Sequence, residues 1–150
     1  MVRVQHFTNN AEWSLRDIVL NDNKWQFKPN GALYTSPVDS IYGWKDWCDE
    51  NEYSRGKLRV VMEVLEIGIV VIDSIDDLEK LAWERDENAP TLKHINWPKM
   101  HADGANAIWL TAKGEMETRW CDPYRNLYGW DCETLAILDR KIISRWTMEG

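Results

Sequence analysis

Three short segments carry side chains whose types and order could do chemistry. The first is Val4-Gln5-His6-Phe7-Thr8, a polar histidine at the end of an otherwise apolar, alternating run. The second runs from Lys28 through Pro29, Asn30 and Gly31 to Tyr34, Thr35 and Ser36, a turn feeding a strand that ends in three hydroxyls. The third, Gly129 to Leu135, sets Asp131 and Glu133 at the start of an apolar strand. A carboxylate so placed can stabilise a developing positive charge, hydroxyls can orient a polar ligand, and an imidazole can hold a sugar hydroxyl. Each residue also has a plainer explanation. A lone histidine on an apolar strand is often structural, and the hydroxyls suit a strand end before Pro37. An acid after a Gly-Trp turn is often solvated, or paired with an arginine such as Arg125 or Arg140.

In order and placement these segments resemble the motifs of the ADP-ribosyltransferase superfamily. The resemblance implies a split β-sandwich that clamps NAD⁺. His6, with Phe7 and Thr8 beside it, would take the place of the first-strand residue that binds the adenosine ribose. Tyr34, Thr35 and Ser36 would support the nicotinamide, and Trp44 would wall it off. Glu133 would be the catalytic carboxylate. Asp131 stands two residues before it, where many members carry a Glu or Gln that orients the acceptor. The stretch from Lys28 to Cys48 is also similar to one in small phage-encoded proteins, of the form Lys-Pro-x-Gly-Leu-Trp-x-Ser followed by a helix ending Trp-Cys. The implied activity is cleavage of the nicotinamide–ribose bond through an oxocarbenium-like state. ADP-ribose would pass to a macromolecular acceptor, a host protein or a nucleic acid, in the cytoplasm. Lys28, Arg55 or backbone amides would meet the pyrophosphate. Two other readings stay open. One is a phage-type inhibitor that engages a host protein through an acidic, tryptophan-rich face; the other is a transferase-like protein that binds NAD⁺ or ADP-ribose without turnover.

Other chemistries find little support. His6, His94 and His101 are scattered and form no metal-ligand spacing. There is no phosphate loop, no dinucleotide fingerprint and no nucleophile elbow. Cys48, Cys121 and Cys132 are odd in number and unpaired in spacing, so a reducing compartment and structural thiols are expected. A formal charge of −7 argues against broad binding to phosphate backbones. Ile67 to Ile72, the longest apolar stretch, is too short to cross a bilayer. Ten tryptophans in 150 residues exceed what a core of this size usually holds, so some should line a cleft or an interface.

The elements that must position these residues read as α+β in one domain, 1–150: a split β-sandwich of two small sheets with a few short flanking helices. Strands are expected at Val2–Phe7, Trp25–Lys28, Ala32–Ser36, Leu58–Leu65, Gly68–Ile72, Ala105–Thr111, Glu133–Leu138 and Ile142–Thr147. A helical turn is expected around Ala11–Arg16, and short helices at Gly43–Glu52 and Trp97–Ala102. The clearest helix starts at Ser74 and runs through Glu84. Residues 112 to 129, carrying Trp120, Tyr124 and Tyr128, read as a long loop.

Overall fold

The alternating N-terminal run forms β1 (Val2–Thr8), with Val2 and Val4 turned to one face. In the computed structural model, which describes residues 1–21, 27–89, 91–122 and 125–150, it is followed by β2 (Leu33–Pro37) and α1 (Trp44–Glu50). Next come β3 (Leu58–Val64), β4 (Ile69–Ile72), α2 (Ile75–Glu79), β5 (Trp83–Arg85), β6 (Lys93–Ile95) and α3 (Trp97–Ala102). The chain ends with β7 (Ala107–Leu110), α4 (Ala112–Thr118), a 3-10 turn at Tyr128–Trp130, β8 (Thr134–Ile137) and β9 (Ile143–Glu149). The fold is mixed α+β. One seven-stranded sheet has the order β4-β7-β8-β2-β1-β3-β9, and β5 and β6 form a separate hairpin. The strands are thus divided seven and two, where two small sheets were expected.

The large sheet cannot be flat. β3 and β4 lie five strand positions apart, about 24 Å at the usual spacing. Yet only residues 65–68 join Val64 to Ile69, and that length of chain reaches at most about 18 Å. The sheet must fold over to bring these ends together. Its weakest seam is the β1–β2 ladder, which holds two residue pairs, Val4↔Pro37 and Gln5↔Ser36. The β1–β3 ladder holds seven.

Strand alternation divides the apolar residues between two clusters. Val4, Val60, Met62, Val64, Ala107, Leu135 and Ile137 share the inner one. Ile108, Leu110, Ala136 and Leu138 turn to the other face and pack with Leu78, Ile95, Trp97, Leu127 and Trp130. β7 and β8 are therefore covered on both sides, which accounts for their unbroken apolar sequence.

Several expected elements differ. The helix begun at Ser74, whose hydroxyl caps Asp77 N, ends at Glu79 and does not reach Glu84. Trp83 belongs to the β5–β6 hairpin instead, and its indole N–H turns back to the Leu78 carbonyl, satisfying a helix-end acceptor. Around Ala11–Arg16 there is one turn, with Trp13 N bonded to Asn10 O, and no helix. The expected loop of 112–129 contains α4, capped by the Thr111 hydroxyl on Gly114 N. Of the expected strand at Trp25–Lys28, Trp25 and Gln26 lie outside the described residues, as does Tyr124. Phe27 and Lys28 form a bend.

Candidate functional site

Where the short β1–β2 ladder ends, a side chain takes over from the backbone. His6 Nδ1 lies 2.9 Å from the Tyr34 carbonyl oxygen. A carbonyl only accepts, so Nδ1 carries the proton and donates, and a neutral ring keeps its acceptor lone pair on Nε2. In that tautomer a ligand hydroxyl would donate to His6 Nε2.

A cleft of about 290 Å³ lies on the outer face beside this seam. From β1 it receives Gln5, His6 and Phe7; from β2 it receives Tyr34, Thr35 and Ser36. Trp44, Trp130, Cys132, Thr134 and Lys28 complete it. Six of the seven residues expected to bind a cofactor thus meet in one place. The seventh, Thr8, lies at the end of β1, where its hydroxyl accepts from Asn10 N in a turn.

The hydroxyls divide their work. Ser36 Oγ donates to Glu133 O at 2.8 Å and accepts from Trp44 N at 2.9 Å, so it locks β2, the entry to β8 and the start of α1 together. Thr35 Oγ1, buried, donates to Leu135 O across the ladder. Tyr34 donates to Pro29 O, and its phenol is held well above the ordinary range by burial. Lys28 Nζ stands 5.6 Å over the Tyr34 ring. Trp44 stacks on Trp47 with ring centroids 5.0 Å apart, and the buried Trp130 fixes its indole on Phe27 O. The walls are aromatic and their polar anchors are mostly internal. Burial also raises the Cys132 thiol to about 11, so at neutral pH it is a protonated wall residue.

Gln5 is the polar group that sequence reasoning passed over. It is only 8% exposed, and its Oε1 accepts from Arg59 Nη1 at 3.2 Å. Its amide NH₂ has no partner among the described residues and is left as a donor on the cleft wall. The available signal was its place two residues before Phe7, on the same face of β1.

Neither expected catalytic acid lines this cleft. Cys132 and Thr134 face it, and Glu133 between them turns the other way. The Glu133 carboxylate accepts from Ser40 Oγ at 2.5 Å and from Trp109 Nε1 at 2.9 Å, and the residue is 9% exposed. Arg125 and Arg140 pair with Asp122 and Asp17, not with Glu133. Asp131 adopts a left-handed backbone, φ 68°, and lines a separate groove beside Tyr42, Trp47 and Arg119. Burial raises its carboxyl above the usual range. Of the cations expected near a pyrophosphate, Lys28 lines the cleft, and Arg55 lies over the Phe7 ring while paired with Asp49.

Among the described residues no cluster of His, Cys, Asp and Glu could hold a metal ion, and no helix is long and apolar enough to cross a membrane. No family model, curated protein or solved structure matches the chain.

Proposed function

We propose that the cleft binds NAD⁺ or its ADP-ribose portion, in a split β-sandwich of the ADP-ribosyltransferase kind, with binding separable from turnover. The observation that carries this reading is the convergence of His6, Tyr34, Ser36 and Trp44 where the β1–β2 ladder gives way. Aromatic walls suit a planar ring. Gln5 offers an amide donor to a ring carbonyl or carboxamide, His6 Nε2 an acceptor to a ribose hydroxyl, and Lys28 a cation to a phosphate. The volume is at the lower end of the range for ligand sites, roughly 300–1,000 Å³. It suits one ring with its ribose, and the remainder of a dinucleotide would lie along the open strand surface.

Transfer of ADP-ribose needs a carboxylate beside the nicotinamide ribose to stabilise the oxocarbenium-like charge. Glu133 is instead held by Ser40 and Trp109, so this arrangement favours binding without turnover over the transferase reading. Turnover would require Glu133 to exchange those partners for the ribose, and the acceptor, protein or nucleic acid, would then enter from the open side.

The test is calorimetry with NAD⁺, ADP-ribose and nicotinamide, alongside release of labelled nicotinamide from NAD⁺ with and without cell lysate. Binding that weakens at least ten-fold in Tyr34→Ala and Gln5→Ala is expected, with no release above background. Release abolished by Glu133→Gln would restore the transferase. No binding of any of the three would end the nucleotide reading.

A further inference from the structure

Beyond the cleft, α1 borders a second depression. Trp44 faces the cleft, whereas Trp47, one turn on, lines a groove of about 240 Å³ together with Tyr42, Glu50, Arg119, Tyr128 and Asp131. The groove continues into an exposed aromatic strip. Tyr53 meets the Trp47 ring edge-on at 5.6 Å, and Trp120 lies over Tyr128 at 4.6 Å while remaining 73% exposed. An indole left so far in water on the exposed Tyr128, with the exposed Tyr53 against Trp47, is the composition of a binding surface, where tryptophan, tyrosine and arginine dominate energetics.

Charge selects the partner. Among the described residues one cation lines the groove, Arg119, and it is already engaged: Nε and Nη2 donate to the two oxygens of Glu115, a residue 2% exposed, at 2.9 and 2.7 Å. Glu50 and Asp131 form no ion pair among the described residues. Among the described residues Glu50 accepts a side-chain hydrogen bond only from the Tyr42 hydroxyl, and the Asp131 carboxylate accepts none, its backbone N–H alone being bonded, to Tyr128 O. Burial makes the ionised Asp131 costly and raises its pKa despite the more distant charges of Lys28 and Arg119, and an arriving cation in direct contact would relieve that cost. The chain as a whole is acidic, at −7, so a basic partner is also drawn in at long range.

We propose that this groove docks an arginine-bearing basic segment of a partner protein, the guanidinium lying against Trp47 and Tyr128 and pairing with Asp131. A guanidinium fits because it is planar, weakly hydrated and able both to stack on an aromatic face and to bind a carboxylate through two N–H groups. Nucleic acid and acidic segments meet the wrong sign of charge. The site requires no ligand in the cleft, and it stands or falls apart from the nucleotide reading.

The experiment follows the indole N–H signals of ¹⁵N-labelled protein during titration with an acetylated Gly-Arg-Gly-Arg-Gly amide, with the Glu-for-Arg peptide as comparator. The Trp47 and Trp120 signals should move with the arginine peptide, and that of the buried Trp97 should stay. Asp131→Asn removes the charge and suits a left-handed backbone, so the fold is retained; it should weaken binding roughly ten-fold. Trp120→Ser, at an exposed position, should weaken it several-fold. Equal shifts with the acidic peptide, undiminished affinity in Asp131→Asn, or no shift up to about 10 mM peptide would overturn the proposal.

Discussion

Glu133 shows how one side chain's direction decides a chemical role. Its neighbours Cys132 and Thr134 face the cleft, while its own oxygens accept hydrogen bonds from Ser40 and Trp109. Replacement by Gln leaves one acceptor and sets an NH₂ against a donor. We expect Glu133→Gln to lose about 1–3 kcal/mol of stability in urea titrations while NAD⁺ affinity stays unchanged. A stable variant with lost affinity would place the carboxylate on the ligand. Cys132 supplies a pH-dependent counterpart. The buried thiol keeps its proton to about 11, whereas in the unfolded chain it ionises near 8.5. Its contribution to stability is therefore complete below about pH 8.5 and is lost as pH rises through 11. Stability measured at pH 8, 9.5 and 11 should fall for the wild type and fall less for Cys132→Ala; equal slopes would exclude the thiol as the cause. At this scale the resemblance grouped His6, Tyr34, Ser36 and Trp44, which line one cleft, together with Thr8, Asp131 and Glu133, which do not. It did not disclose which way Glu133 turns. That depends on Ser40 and Trp109, one in the segment after β2 and the other on β7, and neither can be placed beside Glu133 without the sheet order.

Among the elements, α4 was the least legible, because a glycine in the middle of Ala112–Thr118 reads as a break. Its reason is tertiary. A Cβ on Gly114 would lie 2.0 Å from the Ile72 carbonyl oxygen, so only glycine lets α4 meet the end of β4. Helix propensity favours Gly114→Ala by about 1 kcal/mol, but a backbone clash of this size outweighs it. The variant should lose roughly 2–4 kcal/mol, measured by thermal and urea unfolding. A gain in stability would mean that α4 sits further from β4 than described. The hairpin of β5 and β6 was hidden for another reason: each strand has three residues, and Glu84, Arg85 and Lys93 give it no apolar alternation. The long strands, by contrast, were legible because their alternation or β-branched runs exceed four residues, and β1 and β3 kept nearly their expected bounds. Ser36 links this scale to the cleft. Ser36→Ala removes one donor and one acceptor and leaves Trp44 N and Glu133 O without their partner. It should cost about 1–3 kcal/mol and also weaken ligand binding by loosening the Trp44 wall.

At the scale of the molecule, the folded-over sheet is built almost wholly from distant pairings. Thr35 bonds to Leu135 O, 100 residues on, and Arg59 reaches Glu149, 90 residues on. β1 zips along its length with β3, 50 to 62 residues later, and β9 completes that half by pairing along the other edge of β3. Each ladder requires closure of a long loop before its hydrogen bonds form, and such topologies fold in milliseconds to seconds. The inner apolar cluster draws on β1 and β3 as well as β7 and β8, so neither half of the sheet buries its inner face alone. Cooperativity follows from that sharing. Urea unfolding recorded by tryptophan fluorescence, which samples both halves, and by far-UV circular dichroism should give one coincident transition, and refolding after dilution should show a main phase slower than about a millisecond. If part of the fluorescence change came at lower urea than the loss of strand signal and was absent from Trp44→Phe, the α1 side would be unfolding from a sheet stable without it. The cleft would then be a loosely attached annex, and the seam between β1 and β2 would no longer be the feature that builds the site.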